Sequence, residues 1–180
     1  MCETSPWPTR AGSVSATGLA LLRCRRRARR AGLDPASLSF GRGTPLPRLK
    51  NEGGEMRLGQ VFLAAGTRLW AYRGGVLSIA DGTVLDEGVE IVAWERVDIA
   101  ARCTIGLDVL IMDTDLHSVA GRPVRNKPVK LGEGVVVGCR SIILKGVSVG
   151  AGAVIRPGSI VTRDIPAGGE VGPELARTIK

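Results

Sequence analysis

The chain has one histidine, His117. It stands in a polar stretch with Asp113, Asp115, Arg125 and Lys127. Among these groups only imidazole is a neutral base near pH 7, because carboxylates titrate near pH 4 and a lysine amine stays protonated. A lone histidine in a loop is more often a surface residue than a catalyst. What the rest of the chain does with this stretch therefore decides how it is read.

From Leu131 to Ile165 the chain repeats in sixes. Leu131, Val137, Ile143, Val149, Ile155 and Val161 recur without a slip, and four residues after each comes Val135, Ser141, Val147, Ala153, Ser159 or Ile165. A helix needs apolar spacings of three and four and a strand needs strict alternation, so a period of six fits neither. It fits a solenoid in which three sixes close one triangular coil, each aliphatic and the residue four later facing a thin interior. Gly132, Gly138 and Gly150 follow aliphatics, where the backbone is expected to bend.

A less regular version begins near Leu58. Leu63 with Thr67, Ile79 with Thr83, Leu85 with Val89, Ile99 with Cys103 and Ile105 with Val109 keep the pattern, with breaks at Arg73 to Gly75 and at Ala93 to Arg96. The repeat is abandoned at length only between Met112 and Pro128, the stretch that carries His117. Loops leaving a rigid scaffold are where function concentrates. The domain is thus read as residues 56–168 with a loop at 113–128, and residues 169–180 as a C-terminal tail or helix.

Six aromatic residues and twenty-five glycines suit a thin prism with many corners. The net charge of +8 is local: residues 1–50 hold ten Lys/Arg and two Asp/Glu, and the remainder holds fifteen of each. The repeat is neutral, so the high charge does not mark it for nucleic acid. Residues 1–55, with scattered prolines and the run Arg23 to Arg30, read as a basic extension, disordered or helical over the arginines. One reading is an arm that touches nucleic acid or an anionic membrane. The plainer one, favoured by the lack of interleaved aromatics, is an unstructured leader ahead of a start near Met56. Cys2, Cys24, Cys103 and Cys139 show no metal-ligand spacing, and Cys103 reads as a small core residue. No apolar run spans a bilayer, and the arginines follow Gly18 to Leu22 rather than precede it, the reverse of a secretory signal. The expectation is a cytoplasmic protein with no stable membrane insertion and no nucleic-acid partner.

The loop's Asp-x-Asp-x-x-His, followed by Lys127-Pro128-Val129-Lys130-Leu131-Gly132, resembles elements of the sugar-type enzymes among the hexapeptide-repeat acyltransferases. The resemblance implies an all-β fold, a left-handed parallel β-helix with one protruding catalytic loop and a short C-terminal segment. It implies transfer of acetyl from acetyl-CoA to a hydroxyl or amine of a sugar or other small acceptor, without a metal. His117 matches the family's general base; Asp113 or Asp115 would orient it or only stabilise the loop's turn. Cys139, after Val137-Gly138, matches the residue whose backbone N–H contacts the thioester oxygen. Thr162-Arg163-Asp164-Ile165-Pro166 and Ala176-Arg177-Thr178-Ile179 resemble coenzyme A segments, which assigns Arg163, Arg177 and Lys180 to its phosphates.

Pro157 departs from the family pattern and removes a backbone donor. The family's acceptor-binding asparagine has no counterpart, and Asp86 and Glu87 stand in that neighbourhood. The family also implies a homotrimer with sites between prisms. One histidine excludes the zinc hydratases of this fold, which need three. A nucleotidyltransferase needs a nucleotide-binding domain, for which 55 leading residues are too few. The remaining alternative is a non-catalytic solenoid used for binding or scaffolding.

Overall fold

The computed structural model describes residues 18–43, 45–118 and 123–173. Its strands form three all-parallel sheets, the faces of a prism. The seven-stranded face stacks Leu38–Phe40, Val61–Leu63, Val84–Leu85, Thr104–Ile105, Val136–Val137, Val154–Ile155 and Glu170–Val171. The six-stranded face stacks Arg48–Glu52, Arg68–Tyr72, Glu90–Ala93, Leu110–Met112, Ile142–Ile143 and Ile160–Val161. The five-stranded face stacks Glu55–Leu58, Val76–Ile79, Arg96–Ile99, Val129–Leu131 and Ser148–Val149, with Ile165 bridged to Val149. The chain visits the faces in that order, making about six coils that fit a left-handed parallel β-helix.

The six-residue reading holds at the side-chain level. Leu131, Val137, Ile143, Val149, Ile155 and Val161 are buried, and so are the six residues that follow them by four. Each fully buried aliphatic is worth about 1.5–3 kcal/mol relative to exposure. The interior hydroxyls are satisfied locally: Ser141 and Ser159 donate to the Arg156 carbonyl at 3.1 and 2.6 Å, and Thr67 donates to the Ala64 carbonyl at 2.8 Å. Cys103 is a core residue as expected, and burial raises its thiol pKa.

The glycines after the aliphatics do a different job from the one expected. Gly132, Gly138 and Gly150 lack the positive φ of a bend; a Cβ on Gly138 would collide with the backbone nitrogen of Pro157 one coil on. They let coils approach. The bends fall two residues later, at Gly134, Gly152 and at Arg140, whose φ is +57°.

Residues 1–55 are not a disordered extension in their described part. Residues 38–58 form the first coil, and Met56 lies inside a strand, paired with Leu77. Ahead of it, a helix at Gly18–Arg30 ends in a Schellman motif: Gly32 sits at φ +80°, its N–H donates to Arg29, and the Leu33 N–H donates to Ala28 at 3.0 Å. Cys24, Ala28 and Leu33 join the core cluster. Arg27 donates to the Pro47 carbonyl at 2.7 Å and Asn51 to the Ala31 carbonyl at 3.3 Å. The helix thereby packs on the edge strand Arg48–Glu52, where the first coil would otherwise present a bare sheet edge.

Candidate active site

The loop leaves the corner between the six- and five-stranded faces, after Met112. Its two arms close at the root: Thr114 bridges Asn126, the Asp115 N–H donates to Arg125 at 3.3 Å, and the Lys127 N–H donates to Asp113 at 2.8 Å. The Leu116 N–H donates to the Thr114 hydroxyl at 3.1 Å, and the His117 N–H donates to the Asp115 carbonyl at 2.6 Å. With Leu116 at φ +60°, residues 115–117 form a γ-turn of the strained hand. A leucine held there costs on the order of 1–2 kcal/mol, which the closed root must offset. The result is an exposed His117 on a short, fixed turn.

Neither aspartate holds the imidazole. Asp113 is fully buried, and its carboxylate accepts the N–H groups of Trp94 (2.9 and 3.1 Å), Glu95 (2.7 Å) and Arg96 (2.6 Å). That fills the corner where the repeat breaks at Ala93 to Arg96. Asp115 is paired with Lys145, whose ammonium hydrogen bond holds the carboxyl below its usual pKa range. Among the described residues no side-chain partner of His117 is present.

Lys145 escaped the sequence reading because it looks like any corner residue; it lies on the same corner as the loop, one coil later. Trp94 and Tyr72 were missed too. Their rings stack at 4.5 Å and 17° one and two coils before the loop, and Trp94 is 39% exposed. The register breaks at Arg73 to Gly75, directly after Tyr72, and at Ala93 to Arg96, around Trp94, were their only signal.

The remaining expected residues divide by corner. Arg163 shares the corner of His117 and Lys145, exposed in a shallow depression of about 340 Å³ lined also by Thr162, Asp164, Val171 and Gly172. Asp86, Glu87 and Cys139 stand on a different corner, between the seven- and six-stranded faces. Asp86 and Glu87 are exposed, and the Asp86 carboxylate accepts the Glu87 N–H at 2.9 Å. The Cys139 carbonyl accepts the Gly158 N–H at 2.9 Å, while its own N–H donates to no backbone carbonyl among the described residues. Pro157 is the matching residue one coil on, so it removes an outward donor and disturbs no coil. One chain therefore does not bring Cys139, Asp86 or Glu87 to His117. Arg177 and Lys180 lie outside the described residues. No group of His, Cys, Asp and Glu suited to a metal occurs among the described residues.

The model of the bacterial transferase hexapeptide, six repeats, matches residues 128–163. Residues 128–163 carry that repeat. The chain is also similar to a 2,3,4,5-tetrahydropyridine-2,6-dicarboxylate N-acetyltransferase of Staphylococcus aureus (strain JH9), 38% identical over 58 residues, 32% of this chain and 24% of the relative. The chain spans about a quarter of the length of the curated relatives it matches. Among solved structures, a galactoside acetyltransferase in complex with coenzyme A shows 21% identity and a TM-score of 0.52 over 91% of this chain and 83% of that one. A hexapeptide-repeat-containing acetyltransferase from Vibrio cholerae O1 biovar eltor, complexed with acetyl coenzyme A, shows 18% identity and a TM-score of 0.51 over 87% and 85%. The polysialic acid O-acetyltransferase OatWY gives 17% and 0.52 over 79% and 78%. At these identities the likeness establishes the β-helix fold.

Proposed function

We propose that the protein is an acetyl-CoA-dependent acetyltransferase that acylates a hydroxyl or amine of a sugar or other small acceptor, with His117 as general base. The observation that carries this reading is the placement of the only histidine, exposed on a long loop of the solenoid, with the loop's root held by Asp113 and by the Asp115–Lys145 pair. Neighbouring structures that carry coenzyme A or acetyl-CoA support the choice of donor.

Acetyl-CoA supplies an acyl group already activated as a thioester. His117 removes the proton from the acceptor as its oxygen or nitrogen adds to the acyl carbon, then returns a proton to the departing sulfur. No covalent enzyme intermediate is required. Negative charge gathers on the former carbonyl oxygen, and an outward backbone N–H with no internal partner, such as that of Cys139, is suited to it. Arg163, exposed beside a depression of the last coil, fits a phosphate of the donor. The stacked Tyr72 and Trp94 beside the loop root offer an apolar ring face for the acceptor.

Because Cys139 and His117 occupy different corners of one prism, this site is completed by a second copy lying alongside. A closed ring of three copies places the two corners against each other at every boundary. The aspartates act by positioning the loop, and Asp86 and Glu87 reach the acceptor only from the neighbouring copy. The experiment is thiol release from acetyl-CoA across a panel of sugars, nucleotide-sugars and amines, with light scattering at assay concentration. Release with an acceptor from a trimer supports the reading. A trimer with no acetyl-CoA affinity, measured as absence of thermal stabilisation, favours a scaffold.

A further inference from the structure

The helix Gly18–Arg30 has two faces with different jobs. Inward, Cys24 and Ala28 are buried, Ala20 and Leu21 are half-buried against the core, and Arg27 reaches the Leu46 and Pro47 carbonyls. That face explains why a helix covers the first coil. Outward, Leu19, Leu22, Arg23, Arg26 and Arg30 recur at spacings of three and four, so they form one stripe, with Arg25 and Arg29 beside it. All are exposed, Leu19 at 65% and Leu22 at 55%. Among the described residues none of these five arginines forms an ion pair. A helix that served only to cap the solenoid would need neither the outward leucines nor five uncompensated charges.

We infer that this outward face docks on an anionic phospholipid surface, with the arginines on headgroup phosphates and Leu19 and Leu22 entering the acyl boundary. The combination selects the partner. Fixed cations beside an apolar pair match a lipid surface, which offers anions and hydrocarbon within a few ångströms of each other. A nucleic acid would leave both leucines against phosphate and water, and the helix has no aromatic residue on which a base could stack. The contact is interfacial and does not cross the bilayer: thirteen residues reach about 20 Å, short of the roughly 30 Å hydrocarbon core. It does not depend on the proposed acetyl transfer, and the residues involved are remote in sequence from the loop.

The test is flotation of the full-length chain with vesicles of phosphatidylcholine alone and of phosphatidylcholine mixed with phosphatidylglycerol. Binding is expected only to the mixture, and is expected to weaken as salt rises. Neutralising Arg23, Arg26 and Arg30 together as Arg→Gln should reduce partitioning on the order of a hundred-fold, about five-fold for each charge. Leu19→Ser with Leu22→Ser should weaken binding to the mixed vesicles while every arginine remains. All five positions face solvent, so thermal melts of both variants should match the wild type, and each variant tests the idea without the other. Equal partitioning onto neutral vesicles, no partitioning onto either vesicle, unchanged binding in the variants, or displacement from vesicles by a short RNA would each overturn it.

Discussion

The Asp113 carboxylate accepts the Trp94 N–H at 2.9 and 3.1 Å, which fastens the root of the His117 loop to the preceding coil, where Trp94 stacks on Tyr72 of the coil before. The root of the loop and the Trp94 backbone are thus joined through one buried side chain. Asp113→Ala would leave the N–H groups of Trp94, Glu95 and Arg96 without their acceptor. The expected loss is on the order of 3 kcal/mol of unfolding free energy, read by urea denaturation. An unchanged midpoint would show that this corner does not depend on Asp113.

The Asp115–Lys145 pair should matter to the loop in a pH-dependent way. Lys145 lowers the Asp115 pKa, so the pair's stabilisation is complete above the ordinary carboxylate value of about 4 and disappears as pH falls through the lowered one. Asp115→Asn removes it at every pH. Hydrogen exchange of the loop root should therefore be faster in Asp115→Asn than in wild type at neutral pH, with the two converging in acid. Turnover of Asp115→Asn and of Lys145→Met should fall about ten-fold through misplacement of His117.

Trp94→Ala should raise the KM for the acceptor more than it lowers kcat, because a stacked ring contributes to ground and transition states alike. Loss of a ring contact of this kind is worth roughly 0.5–1.5 kcal/mol, a few-fold to ten-fold in KM. The KM for acetyl-CoA should not move. For Arg163→Ala the pattern should be the reverse, with the larger change in the KM for acetyl-CoA.

Truncation separates the folded N-terminal segment from a dispensable leader. A chain starting at Met56 loses the helix and two strands of the first coil, exposing apolar groups such as Leu63 and Leu69 beneath them. It should be insoluble or melt far below the full chain. A shorter cut ending after Gly32 should still cost about 2–4 kcal/mol through Cys24, Ala28 and Leu21, read in a thermal melt.

What the sequence disclosed follows from regularity. Leu131 to Ile165 is legible because every coil there is built alike, and each aliphatic faces the interior as its period demands. The first coil is illegible for the opposite reason. Its strand Arg48–Glu52 has no fully buried residue, and Pro45 and Pro47 precede it, so Leu38, Phe40 and Leu49 never fall into a period. His117 was visible as the only histidine in the only long break. Lys145, the partner of Asp115, was hidden as a corner lysine, and the partners of Asp113 were hidden because backbone N–H groups leave no trace in residue types. The separation of Cys139 from His117 requires counting corners, which residue spacing alone does not fix.

The most direct test of the catalytic claim is turnover of His117→Ala on the acceptor that supports wild-type thiol release, measured alongside its affinity for acetyl-CoA. With His117 as general base, kcat falls roughly 10²–10⁴-fold, acetyl-CoA binding and assembly stay as in wild type, and raising the pH restores part of the rate. A His117→Ala protein that turns over at the wild-type rate on that acceptor contradicts the assignment.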